Sequence, residues 1–324
     1  MLFQKPPHST IPASLIRSFS STRICPQIGP FTRRLFNIPT APSSASSQNH
    51  NDLPSFLSYA QRTALPETST TYVGTHYEYT VLKSLRRFAF DLHRIGGRDD
   101  AGTDLVGTWH IPGRTLLAPV RVVVQCKALS TKLGPNLVRE LEGAFRHSPT
   151  GWRTTDKLAI LISPREATRG VRNTLMRSVY PLFWVMMERD GVIRQVLWNS
   201  KVEEMMGFAA LGVDMRYQSS PQTSSPSPTV ASGDPARPEV VLTWDGTDLP
   251  DMDHMEREMT KKETEWLALW DSENLSNAEK SMLLDTVMDV FPDMGPGAVL
   301  SCNKEAIATK KDEVLALLKE RFPR

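Results

Sequence analysis

Apolar and polar residues recur with two different periods between residues 72 and 217. Val81, Leu85 and Phe88 follow one another at spacings of four and three, which predicts one apolar face of a helix that begins near Thr75. Shorter runs with strand-like patterns lie at 104–110, 120–127, 157–163, 182–188 and 192–198, and two more helices are predicted at 136–146 and 166–178. The order helix, strand, strand, helix, strand, helix, strand, strand predicts an α/β or mixed α+β domain.

The N-terminal segment has the composition of a targeting sequence. The first 51 residues contain no Asp or Glu. Their basic residues are Lys5, Arg17, Arg23, Arg33 and Arg34, set among many Ser, Thr and Pro residues. A basic segment without acids is typical of a mitochondrial presequence, and the sequence Arg-Ser-Phe-Ser at 17–20 resembles a fungal cleavage site. We therefore assign residues 1–50 to a presequence and linker, expect a disordered N-terminus, and predict that the mature protein lies in the mitochondrial matrix.

Breaks in composition divide the remainder of the chain. Residues 51–71 are expected to be a linker, and residues 72–217 are expected to form the main domain. A segment at 218–238 is dominated by Ser, Pro and Thr, which predicts a disordered tether. Residues 239–324 show intermittent helical periodicity and many acids, so we expect a mostly helical acidic extension, for which no motif indicates a partner.

Charge and composition exclude several classes of protein. Hydrophobic residues make up 40% of the 324 residues and charged residues 23%, which is typical of a chain that folds around a core. No apolar run is long enough for a membrane-spanning helix, and three scattered cysteines favour neither disulfides nor a zinc knuckle. The main domain carries a net charge of +7 and the C-terminal extension one of −9, which indicates a polyanionic partner for the main domain.

The sequence around Asp104 and Lys127 carries the candidate chemistry. A glycine-rich turn precedes Asp104, and the strand 21 residues later ends in Gln125, Cys126 and Lys127. Side chains alternate along a strand, so Gln125 and Lys127 share one face, while Cys126 lies on the other face as an apolar filler. If the two strands pair as a hairpin, Asp104 lies opposite Gln125 and Lys127. A carboxylate, an amide oxygen and an ammonium group brought together in this way suit Mg²⁺-assisted hydrolysis of phosphodiesters.

The pattern Asp104…Gln125-x-Lys127 resembles the Asp…Gln-x-Lys variant of the PD-(D/E)xK fold in Mrr-like type IV restriction endonucleases. The segments that begin at Gly74, Val138 and Leu158 resemble the first helix, the second helix and the next strand of that family. The resemblance implies a mixed central sheet flanked by helices, and it implies that Glu78 adds a third ligand to a metal site formed with Asp104 and Gln125. The whole chain is similar to the fungal mitochondrial "required for respiratory growth" protein seven family, whose name records a phenotype.

One residue departs from the nuclease pattern and keeps a second function open. Most nucleases of this fold have Asp or Glu where Gln125 stands, and an amide is a weaker Mg²⁺ ligand than a carboxylate. The first hypothesis is a metal-dependent deoxyribonuclease with Asp104, Gln125, Lys127 and Glu78 in its site. The alternative is a catalytically silent factor that binds mitochondrial nucleic acid or helps a respiratory complex to assemble. Asp99 and Asp100 remain alternative acids, and each site residue could also be an ordinary turn or surface residue.

The predicted partner is DNA, with RNA as an alternative. Candidate phosphate contacts lie on the first predicted helix and around the third, and are Lys83, Arg86, Arg87, Arg165, Arg169 and Arg172. These side chains could equally form a solvated face. Many nucleases of the resembled fold act as homodimers, so a homodimer is a further alternative.

Overall fold

A six-stranded mixed sheet forms the centre of the computed structural model, which describes residues 28–41, 49–95, 102–112, 118–217, 238–272, 274–292 and 304–321. The strands are β1 (Phe90–Arg94), β2 (Leu105–Trp109), β3 (Val120–Cys126), β4 (Lys157–Ser163), β5 (Leu182–Met187) and β6 (Ile193–Trp198). Their order in the sheet is their order in the chain. β1, β2 and β3 run antiparallel, β3, β4 and β5 run parallel, and β6 returns antiparallel to β5.

Helices cover both faces of this sheet. They are α1 (Pro30–Leu35), α2 (Leu53–Arg62), α3 (Thr70–Leu85), α4 (Asn136–Arg146), α5 (Arg169–Arg177), α6 (Ser200–Met206), α7 (Met252–Leu269), α8 (Asn277–Val290) and α9 (Lys304–Arg321). α4 and α5 connect the parallel strands, as parallel pairing requires. Leu137, Leu141 and Phe145 recur at spacings of four and are buried, which gives α4 the apolar face that packs on the sheet.

The alternation of side chains along β3 separates two hydrophobic cores. Val122 and Val124 belong to the larger core, which lies on the α3 side, and Val123 belongs to the smaller core beneath α4 and α5. All seven residues of β4 are buried, as expected for a central parallel strand covered on both faces. The predicted mixed α/β architecture with helices flanking a mixed sheet is confirmed.

A second, three-stranded sheet joins the main domain to the acidic extension. It consists of β7 (Leu211–Arg216), β8 (Glu239–Trp244) and β9 (Thr247–Asp248) in that order. Asp245 and Gly246 both have positive φ, at 49° and 73°, which is the conformation of a tight turn between β8 and β9. β7 precedes the expected tether and β8 follows it, so the two segments pair directly across it.

The acidic extension packs against the main domain. Met252, Met259, Trp266 and Trp270 are buried in the same hydrophobic core as the α3 side of the central sheet. Arg86, in the short 3₁₀ turn at Arg86–Phe88 that follows α3, donates hydrogen bonds to carboxylates of Asp253 (2.7 Å) and Glu256 (2.7 Å) in α7. Part of the opposite charge of the two regions is therefore neutralised within the chain.

α1 lies inside the range that was assigned to the presequence and linker. Phe31 and Leu35 are 2% and 0% exposed, and Phe31 packs against Trp266 with ring centroids 5.7 Å apart. Thr32 donates a hydrogen bond of 2.6 Å to Glu263 in α7. The assignment of all of residues 1–50 to presequence and linker therefore needs correction, because residues 30–38 contribute to the folded core. The proposed cleavage site at 17–20 lies outside the described residues.

Several local features differ from the sequence prediction. α3 begins five residues earlier than expected because Ser69 caps its N-terminus by accepting a hydrogen bond from the backbone of Tyr72. α2 lies in the expected 51–71 linker and begins with a capping box between Asp52 and Ser55. β1 was not predicted. No helix within the described ranges has both the length and the apolar character needed to cross a membrane.

Candidate active site

The strand pairing brings Asp104 next to Gln125. Leu105 pairs with Val124 in the antiparallel register of β2 and β3, so Asp104 lies opposite Gln125 one step further along. The backbone N–H of Asp104 donates to the carbonyl of Val124 (2.9 Å), which continues the ladder to this point. The Oδ2 atom of Asp104 accepts a hydrogen bond from the backbone N–H of Cys126 at 2.6 Å. The backbone of β3 thus holds the carboxylate in place.

Gln125, opposite Asp104 on the paired strand, carries a buried side-chain oxygen. Its residue is 2% exposed, and its Oε1 atom has no hydrogen-bond partner among the described residues. An unpaired buried amide oxygen is costly, so such an atom is a candidate ligand for a bound cation or water. Gly102, with φ of 82°, lies close to the other side of the amide, because a Cβ there would come 3.2 Å from Nε2 of Gln125. The glycine-rich turn therefore gives the side chain room.

Lys127 lies at the end of β3 and points toward α4. Its Nζ atom lies 3.3 Å from Oε2 of Glu140, and both side chains are partly exposed. Its backbone N–H donates to the carbonyl of Ile162 (2.8 Å), which fixes the end of β3 against β4. We call this edge of the central sheet, where Asp104, Gln125, Lys127 and Ser163 lie, the site edge.

Glu78 lies near the site edge but on the α3 side of the sheet. Its Oε2 atom accepts a short hydrogen bond from Nε of Arg94 at the end of β1. Both side chains are mostly buried, at 12% and 13% exposure, so the ion pair is only partly screened by water. The structure therefore brings Glu78 near Asp104, but the Glu78 carboxylate is already paired with the guanidinium of Arg94.

The electrostatics of Cys126 reflect how closely these charges surround it. Burial raises the pKa of the Cys126 thiol well above its usual range, and the negative charges of Asp104 and Glu78 raise that pKa further. Arg94 and Lys127 act in the opposite direction. A thiol with a raised pKa is not a reactive nucleophile at neutral pH, which agrees with the expectation that Cys126 only fills space.

The six basic residues predicted to contact phosphate fall into two groups. Arg165, Arg169 and Arg172 are exposed and follow the end of β4, at the site edge. The second group, Lys83, Arg86 and Arg87, lies just before β1 begins at Phe90. The end of β1 that lies near the site edge is the other one, at Arg94. This second group is therefore at the opposite edge of the sheet.

Two members of that second group are engaged by the acidic extension. Arg86 binds Asp253 and Glu256, and Arg87 binds Glu239 at 2.8 Å. A phosphate could contact Arg86 or Arg87 only by competing with these carboxylates. The structure does not bring these two arginines together with Asp104 and Gln125.

Some residues of the site were missed by the sequence prediction. Arg94 and Glu140 both contact predicted site residues, but Arg94 belongs to the unpredicted strand β1 and Glu140 lies in α4, outside the pattern of Asp104, Gln125 and Lys127. Asp99 and Asp100, the alternative acids, lie outside the described residues. Within the described ranges no three His, Cys, Asp or Glu side chains form a group that could hold a metal ion.

Comparisons with known proteins place the chain in a family. The family model described as Required for respiratory growth protein 7 matches residues 69–118 and 114–217. The chain is 36% identical over 187 residues to an uncharacterised mitochondrial protein of Schizosaccharomyces pombe, covering 56% of this chain and 70% of that protein. It is 25% identical over 175 residues to the mitochondrial Required for respiratory growth protein 7 of Saccharomyces cerevisiae, covering 42% and 72% of the two chains. No solved structure matches the chain.

The fold and the site define a mixed α/β protein with a cluster of polar side chains at one edge of its central sheet. The extent of the sequence matches shows that the chain belongs to the Required for respiratory growth protein 7 family. The similar proteins are named as mitochondrial, and several are named for a requirement in respiratory growth. The predicted family is thereby confirmed, and the names of the relatives support the predicted mitochondrial location.

Proposed function

We propose that this protein hydrolyses phosphodiester bonds of DNA in the mitochondrial matrix, using Mg²⁺ and a PD-(D/E)xK-like core. The observation that carries the proposal is that Asp104 lies opposite Gln125 on paired strands, with its carboxylate held by the N–H of Cys126, while the Oε1 atom of Gln125 is buried and has no partner among the described residues. Both groups are hard oxygen donors of the kind that Mg²⁺ prefers. Their arrangement on paired strands is also the one that the sequence resemblance to Mrr-like nucleases implies.

The residues present fit a magnesium ion that is held by few protein groups. Mg²⁺ in proteins usually keeps several waters and is bound through one or two carboxylates, so Asp104 and Gln125 would hold it. Glu78 would join them only by giving up its ion pair with Arg94. When bound, the ion would polarise a phosphate and lower the pKa of an attacking water.

Lys127 and the basic residues between the end of β4 and the first turn of α5 would bind the substrate. The ammonium group of Lys127 lies at the site edge and would neutralise negative charge that develops on the phosphate. Arg165, Arg169 and Arg172 are exposed at the same edge and would contact the phosphates of neighbouring nucleotides. The paired charge of Glu140 would keep Lys127 in position without substrate.

The test is Mg²⁺-dependent cleavage of linear, circular and single-stranded DNA, and of RNA, by protein that begins at residue 28. Starting the protein there retains α1. We expect Asp104→Asn and Lys127→Ala to reduce cleavage by roughly 100-fold or more, since each removes a group that acts in the transition state. Lys201→Ala is the matched control, because Lys201 is also a partly exposed lysine paired with a glutamate. Equal cleavage by Lys127→Ala and the control would contradict the proposed site.

A second candidate function is a silent factor that binds mitochondrial nucleic acid or supports the assembly of a respiratory complex. Two observations favour it, namely the amide at position 125 and the ion pair that occupies Glu78. It predicts no cleavage by the wild-type protein and salt-sensitive binding of nucleic acid or of a partner protein. It also predicts that Asp104→Asn still supports respiratory growth.

Substitution of Gln125 by Glu separates the two candidates. Without metal, a second buried carboxylate beside Asp104 should lower the melting temperature, because like charges in a buried site repel. For the nuclease, Mg²⁺ should raise the melting temperature of Gln125→Glu more than that of the wild type and increase cleavage at low Mg²⁺. A silent factor whose site binds no ion should show no Mg²⁺-dependent rise in either protein.

A further inference from the structure

The outermost strand of the second sheet exposes an apolar stripe. Val213, Met215 and Tyr217 lie at every second position of β7 and of the residue that follows it, so their side chains share one face of the sheet. Their residues are 41%, 55% and 68% exposed. Three large apolar side chains in a row on a solvent-accessible strand are unusual for a protein surface that contacts only water.

The stripe continues a buried face. Val213 pairs with Leu242 and Met215 pairs with Val240 in the antiparallel register of β7 and β8. Directly opposed residues project to the same side of a sheet, so the stripe belongs to the face that is buried at β8. Leu242 and Val240 are both only 3% exposed. Within the described part of the chain, the cover of this face therefore reaches β8 and Leu211 at the start of β7 but leaves the stripe exposed.

β7 is also the edge of its sheet. Among the described residues, β7 pairs with β8 alone in the order β7, β8, β9. The other side of an edge strand presents backbone N–H and C=O groups that can pair with a further strand, a liability that proteins usually mask. On β7 the N–H of Met215 donates to Oδ1 of Asp214 (2.9 Å), a local contact that a pairing strand would replace. An apolar stripe and an open edge on one strand indicate a strand-pairing partner.

We propose that this partner is β7 of a second copy of the chain, paired antiparallel about a two-fold axis at Met215. The argument is charge complementarity on the opposite face of the strand. Asp214 and Arg216 flank Met215, so the two-fold axis places Asp214 of each copy opposite Arg216 of the other. The stripe is matched at the same time, because Val213 then lies opposite Tyr217 and Met215 opposite Met215.

Other registers are less favourable for physical reasons. A shift by one residue turns the stripe of one copy toward the charged face of the other. A two-fold axis at Asp214 or at Arg216 places like charges directly opposite each other, which destabilises strand pairing. Within one chain Arg216 donates two hydrogen bonds to Asp248 in β9, and its Nε atom lies 3.9 Å from Asp214. A second copy would therefore exchange these contacts for the pairs of Asp214 and Arg216 between the two chains. The paired strands would join the two three-stranded sheets into one.

The test is sedimentation velocity of the protein that begins at residue 28, across roughly 1 to 100 µM. This range suits a weak dimer, which is expected because the pairing of one six-residue strand buries little surface. The wild-type protein should dimerise reversibly. Asp214→Arg should raise the dissociation constant about tenfold or more, since it places two arginines opposite each other twice, and Arg216→Asp should do the same with acids. Asp156→Arg makes an equal charge change at an exposed site on the central domain and should dimerise as the wild type does.

The decisive sample is an equimolar mixture of Asp214→Arg and Arg216→Asp proteins. Each variant repels itself, but a mixed pair brings each arginine opposite an acid, so heterodimers should form in the mixture. Melting temperatures of both variants near that of the wild type would show that the fold is intact. A monomeric wild type overturns the proposal. A dimer that Asp214→Arg does not weaken overturns this choice of surface.

Discussion

Leu35 provides the sharpest test of how much of the N-terminal segment belongs to the folded protein. Its side chain is fully buried within α1, in a region whose composition is that of a targeting sequence. Replacing a fully buried leucine by alanine removes its transfer free energy and leaves a cavity. Such replacements cost about 3 to 5 kcal/mol. We therefore expect Leu35→Ala to lower the free energy of unfolding by about this amount.

The assay is equilibrium unfolding of the protein that begins at residue 28, in urea, with tryptophan fluorescence as the signal. Phe31 lies in α1 with Leu35, and its ring centroid is 5.7 Å from that of Trp266 in α7. The emission of Trp266 should therefore report on the contact of α1 with α7. Leu57→Ala is the matched control, because Leu57 lies in a neighbouring N-terminal helix but is 40% exposed. The control should change the free energy of unfolding by less than about 1 kcal/mol.

A truncation pair extends the same test. A protein that begins at residue 28 keeps α1, whereas one that begins at residue 50 loses the four buried side chains of Phe31, Leu35, Phe36 and Ile38. Burial of each such side chain contributes about 1.5 to 3 kcal/mol, which together is comparable with the whole stability of a typical domain. The shorter protein should therefore melt at a much lower temperature or fail to fold. Equal stability of the two proteins, or of Leu35→Ala and the wild type, would refute the inclusion of α1 in the core.

Three further predictions concern the interior. Burial lowers the pKa of His110 from 6.5 to about 4, so its contribution to stability is complete above pH 6.5 and is lost as the pH falls toward 4. Between pH 7 and pH 5, the wild type should lose about 2 kcal/mol more of its unfolding free energy than His110→Gln in urea titrations. Gly107→Ala should cost about 3 kcal/mol or more, because its Cβ would lie 1.9 Å from a backbone oxygen of β1, whereas Gly143→Ala in α4 should be neutral or stabilising. Arg86→Ala should lower the free energy of unfolding by about 3 to 5 kcal/mol in the same assay, because it leaves Glu256 buried without its partner. The control Arg87→Ala removes an exposed arginine and should lower it by less than about 1 kcal/mol.

The periodic pattern of the chain by itself determined most of the main domain. α4 and β4 have the bounds that the apolar spacing predicted; β3, β5 and β6 differ from their predictions by one residue at one end, and β2 by one residue at each end. These elements are long or fully buried, so their apolar period is strong. The alternation along β3 also placed Gln125 and Val123 on the face opposite Val124, where the two cores confirm it.

Local signals in the sequence would have revealed some of the elements that were missed. The pair Asp245-Gly246 is a strong hairpin signal, and it joins β8 to β9. Asp52, Pro54 and Ser55 together mark the start of α2. β1 is different, because its five residues mix Phe and Leu with Asp, His and Arg, and only pairing with β2 makes them a strand.

Tertiary structure alone decided which opposite charges pair and that the N-terminal helix α1 packs against the C-terminal helices. The basic residues Arg86 and Arg87 have the same composition signal as Arg165 and Arg169, yet the first pair meets carboxylates of the acidic extension. Composition records charge but not its distance to other charges, and electrostatic interaction depends on that distance and on burial. In the same way, α1 is six residues long and too short to be stable alone, so its helical state depends on the core that α7 and α8 provide. The sequence determined the strands that carry Asp104 and Gln125, and the packing of distant segments decided what surrounds them.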